Sequence, residues 1–332
     1  MRLAIGFNPV MPVDEAISLA VKAEEEGFES FWMHESLYQR DAVTYLSAIS
    51  LSTKTIGVAS GVTNTFTRHP VTTATTFATL AELSKGRTIL GLGLGSFPTI
   101  PLLGHKLFPV SETRPLRRMS EYVTLVRMVW SGDRVDFEGE FFNVHNLQLG
   151  FKPLRAIPLF IASLSPMTQR YAGEVADGVI LSPSLATVGW TSQTIANVAS
   201  GESRAGRRAE RASYMLTSVG VDEQAARDVI KGFYFFLYQL SEVVKAEDLL
   251  PYGVKEERLS TLREAWRKGD VAEAKRLVPD EAVDALAIAG KPDRALERIS
   301  EYVKAGVTLP ILMPIGDVRF ALEALAPARS RQ

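Results

Sequence analysis

Apolar positions along the chain fall in short runs, and between the runs they recur with a helical period. Residues 3–9 form one such run. Val13, Ile17, Ala20 and Val21 then share one helix face, with Asp14, Lys22 and Glu25 on the other. Gly27 stands where such a helix closes. Residues 30–35 (SFWMHE) predict a second strand, and Asp41 caps a helix that runs to about Ser52. Residues 56–64 read as a third strand, with Pro70 opening the next helix, which ends near Lys85-Gly86. The fourth strand spans 88–96 (TILGLGLGS), before a helix from about Ser111 to Trp130. The polar, aromatic segment 133–151 turns at Glu138-Gly139-Glu140 and predicts an inserted hairpin. Further strands are expected at 158–165, 178–183, 212–221 and 309–315, with helices at 167–175, at 292–305 and at the end of the chain. Residues 222–287 carry helical signals and no convincing strand.

Eight strand–helix units with apolar strands predict a parallel sheet covered on both faces. The expected fold is α/β: a (β/α)8 TIM barrel in a single domain, 1–332, with insertions, including a long helical one between strands seven and eight. A doubly wound sheet with a helical second domain is the competing architecture. No Pro/Gly/Ser-rich linker divides the chain.

Composition removes several function classes. Among 332 residues, 46% are apolar and the net charge is -1, so no global field holds nucleic acid or an anionic membrane. The basic cluster Arg204 to Arg211 is mixed with acid and reads as a solvated helix face. The absence of cysteine excludes disulfides and thiolate chemistry and fits a cytoplasmic location. The first residues read as a strand, so no signal peptide is expected, and no apolar run approaches the ~20 residues of a membrane helix.

In a barrel, chemistry gathers where strands end. The third strand trades bulk for small and polar groups at Ser60, Gly61, Thr63 and Asn64, which reads either as a bulge at the rim or as room for a ligand. Other ends are similar: His34-Glu35-Ser36, Gly93-Leu94-Gly95-Ser96, Ala162-Ser163-Leu164-Ser165, Ser182 and Thr217-Ser218. Together they predict a lined pocket. None of these ends carries a Schiff-base lysine, and His34, His69, His105 and His145 are too scattered for a metal site. No G-x-S-x-G elbow occurs at Gly95-Ser96. Gly91, Gly93 and Gly95 lack the spacing of a dinucleotide fingerprint; they read as glycines that admit a flat ligand or that let a strand bend. A pocket without nucleophile, metal or lysine borrows its chemistry from a bound redox cofactor.

Five segments carry a resemblance: 27–42 (GFESFWMHESLYQRDA), 60–74 (SGVTNTFTRHPVTTA), 80–96 (LAELSKGRTILGLGLGS), 171–183 (YAGEVADGVILSP) and 290–307 (GKPDRALERISEYVKAGV). The chain resembles the bacterial luciferase-like superfamily. Within it, SGVTNTFTRHP is most similar to the branch using coenzyme F420, a deazaflavin, which includes methylenetetrahydromethanopterin reductase. That resemblance implies hydride transfer between F420 and a small organic substrate, and a homodimer or larger assembly. It implies a non-prolyl cis peptide at Gly61-Val62 backing the ring, Asn64 near the ring's polar edge, and Ser163, Leu164 and Ser165 by the phosphate-bearing tail. Ser60, Gly93, Gly95, Ser96 and Ala162 complete the cofactor set, and Glu35 and His34 are the candidate catalytic residues; no metal is implied. The sequence departs from the family at two places. Glu35-Ser36 stands where many relatives have Asp-His, and Ser96 stands where many have an acid. Both departures argue against the sugar-phosphate dehydrogenase branch. Glu35 also reads as an ion-pair partner of Arg40 or Arg68, and His69 as a residue that orients a loop. The aromatic run Phe233 to Tyr238 reads as core, as dimer interface or as an apolar wall of the substrate site. Two alternatives stay open: an FMN-dependent monooxygenase, and a non-catalytic flavin or deazaflavin carrier.

Overall fold

The first strand, β1 (Ala4–Phe7), pairs in parallel with β2 (Ser30–Met33) on one edge and with the last strand, β12 (Leu309–Pro314), on the other. Between them run β3 (Gly57–Ser60), β4 (Thr63–Asn64), β5 (Thr88–Gly93), β8 (Leu159–Ala162), β9 (Gly178–Ile180) and β10 (Glu210–Val219). The order β1-β2-β3-β5-β8-β9-β10-β12 returns to β1, and the β9–β10 pairing closes the ring. With β4 as the continuation of β3, this is the expected eight-stranded parallel barrel with helices outside. The computed structural model describes residues 1–36, 38–95, 100–104, 113–181 and 185–327.

Strand alternation sorts the side chains into two cores. Leu3, Ile5 and Phe7, Phe31 and Met33, and Leu159 and Ile161 face the surrounding helices. Their neighbours Ala4, Trp32, Ala59, Phe160, Ala162, Ala212, Tyr214 and Leu216 belong to a second core that fills the barrel. Three large rings, Trp32, Phe160 and Tyr214, are thus accommodated among alanines and glycines. Alternating large and small residues is how a closed barrel fills its interior without voids.

The caps fall as expected. Asp41 accepts from the Thr44 N–H at the start of the helix Ala42–Ser52, and Pro70 occupies the first turn of the helix Pro70–Leu83. The hairpin β6 (Val135–Glu138) and β7 (Asn143–Leu147) lies within the predicted segment. Its turn is tied down by Glu121, a buried carboxylate that accepts from the N–H groups of Glu140 and Phe141 and from Arg117.

Three readings need correction. The cluster Arg204 to Arg211 is not one helix face. Gly206, at φ +62°, stops the helix Val188–Ala205, and Arg211 already lies in β10, paired with the buried Glu202. That helix was not foreseen, because its Thr, Ser, Gly and Ala positions make a weak apolar stripe. A short strand, β11 (Ile288–Gly290), directly follows the helical stretch and pairs with the upper end of β10. The third strand is interrupted at Gly61-Val62 rather than continuous through Asn64. Between β10 and β11 the helices Glu223–Gly232, Tyr234–Tyr238, Glu256–Arg267, Val271–Leu277 and Asp280–Leu286 pack residues such as Phe236, Leu237 and Leu259 into the core that fills the barrel.

Candidate active site

The interruption of the third strand organises the upper rim. Val58 and Ala59 pair with Thr88 and Ile89, whereas Thr63 and Asn64 pair with Leu92 and Gly93. The sequence offset falls by one residue across the break, so β3–β4 carries one residue more than β5 over the same length, which is the count of a bulge. The Gly61-Val62 peptide is cis, as the resemblance implied. Ser60 repairs the ladder: its hydroxyl donates to the Gly91 carbonyl and accepts the Gly91 N–H, each at 3.0 Å.

The glycines of β5 belong to the same device. A Cβ on Gly91 would overlap the Ser60 carbonyl, and one on Gly93 would lie 2.6 Å from a methyl of Val62. The room they leave is therefore taken by the bulge and not by open space for a flat ligand. Gly95, at φ +80°, turns the chain out of the strand against Ile100. Ser96 and Ser182 lie outside the described residues, as does His105.

The predicted ends of β2, β3–β4, β5 and β8 fall on one arc of the rim by direct strand neighbourhood, whereas Thr217 and Ser218 lie on β10, outside it. Asn64 spends its side-chain oxygen on the loop, accepting the N–H groups of Phe66 and Thr67. Thr67 and Arg68 in turn reach the Oε1 of Glu35, each at 3.3 Å, and Arg68 also pairs with Asp41 at 2.6 Å. The ion pair of Glu35 is thus with Arg68, while Arg40 donates to the Val10 carbonyl. His69 orients the loop by accepting the Val71 N–H. After β8, the Ser163 hydroxyl accepts the Ser165 N–H, and Gln169 holds the Ser163 carbonyl. Leu164 and Met167 are exposed there, at the start of the helix Pro166–Val175.

Several buried polar atoms at the rim have no partner among the described residues: His34 Nε2, Glu35 Oε2, and the hydroxyls of Thr63 and Thr65. Buried polar atoms are paired in the great majority of cases, so four on two adjacent strand ends single out this arc as the candidate site. Burial pulls the His34 imidazole down to about 4, so it is neutral at ordinary pH and offers a hydrogen bond rather than a charge.

Two residues were missed by the sequence reading. Tyr214, on β10, points into the barrel, where its hydroxyl donates to the Gly61 carbonyl and its ring lies 4.7 Å from that of His34. Alternation along β10 places it inside but says nothing of those partners. Arg118 sits over the rings of Phe66, Phe141 and Phe142 and donates to the Thr65 carbonyl, binding the hairpin to the rim loop.

Comparison with known proteins matches this geometry. The 5,10-methylenetetrahydromethanopterin reductase of Archaeoglobus fulgidus is 32% identical over 324 residues, 95% of this chain and 94% of that protein. The F420-dependent glucose-6-phosphate dehydrogenase of Nocardia farcinica is 28% identical over 306 residues, 88% of this chain and 85% of that protein. Among solved structures, the coenzyme F420-dependent tetrahydromethanopterin reductase of Methanopyrus kandleri superposes with a TM-score of 0.88 at 25% identity, covering 98% of each chain. The profile of the luciferase-like monooxygenases matches residues 4–309, and the chain belongs to that family.

Proposed function

We propose that the protein is an F420-dependent oxidoreductase that moves hydride between the deazaflavin and a small organic substrate, with a methylene-carrying reduced pterin as the substrate class. The observation that carries this reading is the pair of unpartnered atoms His34 Nε2 and Glu35 Oε2 beside the bulge at Gly61-Val62. Full-length relatedness to the Archaeoglobus reductase supports the pterin class.

The residues present fit such a cofactor. Val62 is partly exposed on this backbone platform and gives a flat apolar ring a surface to lie on. His34 Nε2 and the Thr63 hydroxyl have capacity for polar atoms at the ring edge. The N–H of Leu164 and the hydroxyl of Ser165, at a helix start, suit an anionic tail. When bound, F420 supplies the ring carbon that gives or takes hydride.

The chain's own residues position and insulate. Ser60, Gly93 and Gly95 act by building the bulge, and Ala162 and Ser163 by shaping the rim beside it. Asn64 keeps its amide N–H groups for the ring edge while its oxygen holds the loop. Glu35 keeps one oxygen against Arg68 and offers the other to a substrate N–H or O–H. Hydride transfer to an iminium-like carbon needs little acid catalysis, so positioning and electrostatics carry the rate. Phe233 and Val62 adjoin the core that fills the barrel and offer an apolar wall to the substrate.

The chain acts as one barrel unit, in the cytoplasm, as a homodimer or larger assembly. The absence of cysteine fits a reducing compartment, and the exposed Tyr38 and Leu51 give an apolar surface for self-association. Among the described residues, no helix is long and apolar enough to cross a membrane.

The test is oxidation of reduced F420 without oxygen, offering a methylene-tetrahydropterin, an alcohol-derived ketone and an aldehyde in turn. Turnover with the pterin supports the reading. Oxygen-dependent turnover with reduced FMN, and none with F420, overturns it.

A further inference from the structure

Tyr214 is 3% exposed, and its hydroxyl is the polar atom of a ring otherwise packed among Trp32, Ala59 and Leu216. A hydroxyl placed in an apolar interior costs free energy unless it is hydrogen-bonded, and phenylalanine would fill the same volume. Among the described residues the hydroxyl has one partner, the Gly61 carbonyl, at 3.2 Å. Two glycines make room for the ring. A Cβ on Gly61 would overlap the hydroxyl, and a Cβ on Gly6 would lie 2.7 Å from the ring. The ring edge also meets His34, centroid to centroid at 4.7 Å and inclined by 60°. One side chain from β10 thus touches two groups of the site that come from two other strands.

We propose that Tyr214 is the positioning residue of the site: it holds the Gly61 carbonyl with its hydroxyl and the His34 imidazole with its ring, and so fixes the spacing between the backbone platform and the imidazole. The inference rests on the reading of that platform as the seat of the cofactor ring. Burial keeps the phenol well above its ordinary pKa, so it donates at every working pH. A residue that only filled the core would tolerate phenylalanine with no effect beyond stability.

The test is Tyr214→Phe, read in two ways. First, the ring resonances of His34 are recorded in the ligand-free protein, assigned among the four histidines with His34→Asn. Second, F420 is titrated and the absorption spectrum of the bound cofactor is recorded. The proposal expects shifted His34 resonances, F420 affinity weaker by about tenfold and an altered bound spectrum. Resonances, affinity and spectrum all equal to wild type make Tyr214 a core residue and overturn it. If wild type itself fails to bind F420, the functional reading falls, and the His34 resonances alone decide: a shift supports Tyr214 as the positioning residue, and no shift overturns it. Tyr214→Met, which keeps bulk without a ring, takes the place of the phenylalanine variant if that one does not fold.

Discussion

The hydroxyl of Tyr214 fills the space where Gly61 has no side chain, and it donates to the carbonyl of that same glycine. The two residues are 153 positions apart in sequence. The arrangement predicts that their substitutions are not additive. Gly61→Ala alone overpacks the barrel, at a cost of about 1–3 kcal/mol. Without the hydroxyl, the nearest ring atom is 3.0 Å from the added Cβ, a milder contact. Gly61→Ala is therefore expected to cost less in a Tyr214→Phe background, with a coupling of roughly 0.5–3 kcal/mol in denaturant unfolding. Strict additivity would mean that the two do not meet as described.

Ser60→Ala tests the repair of the ladder at the bulge. It removes a donor and an acceptor at once and leaves the Gly91 N–H and carbonyl without that partner. A loss of about 1–3 kcal/mol in stability is expected. Weaker F420 binding should accompany it, since the platform loosens. A variant with wild-type stability would show that water or a shifted strand serves Gly91 equally well.

His34 gives the site a direction in pH. Its folded pKa of about 4 lies below the ordinary 6.5, because burial disfavours the cation. Protons therefore bind the unfolded chain more readily. The contribution of His34 to stability is complete above about pH 6.5 and is lost as pH falls toward 4. The linkage amounts to at most about 3 kcal/mol, and less because the residue is partly exposed. Unfolding measured at pH 7 and pH 4.5 should show a smaller loss in His34→Asn than in wild type. Equal losses would place the acid sensitivity elsewhere.

Glu35 is expected to act on turnover more than on cofactor binding. Glu35→Gln keeps the shape and the hydrogen bonds from Thr67 and Arg68 but removes the charge beside Arg68. A fall in kcat of about 10²-fold through the lost charge, with F420 affinity largely kept, is predicted. Unchanged turnover across the pH range would remove Glu35 from the mechanism and leave it as the ion-pair partner of Arg68.

Much of this architecture is local and therefore readable. Strand runs such as Thr88 to Gly93 and helix starts such as Asp41 and Pro70 declare themselves within a few residues. The small polar strand ends mark the active face because barrel topology sends every strand end to one side. What escaped depends on distance or on weak patterning. The helix Val188–Ala205 buries Thr191, Thr194 and Gly201 along with Val198, so its inner face does not read as apolar. Strand β11 has three residues, too few for a period of two. The glycines of β5 read as ligand space or as a strand bend, but their neighbours, Ser60 and Val62, come from the adjoining strand. Tyr214 was legible as an inward residue; its bond to Gly61 was not.

The central claim is best tested by titrating the purified protein with F420 and FMN side by side, following cofactor fluorescence. The account predicts tight, saturable F420 binding and much weaker FMN binding. Tight FMN binding with none to F420 would contradict it.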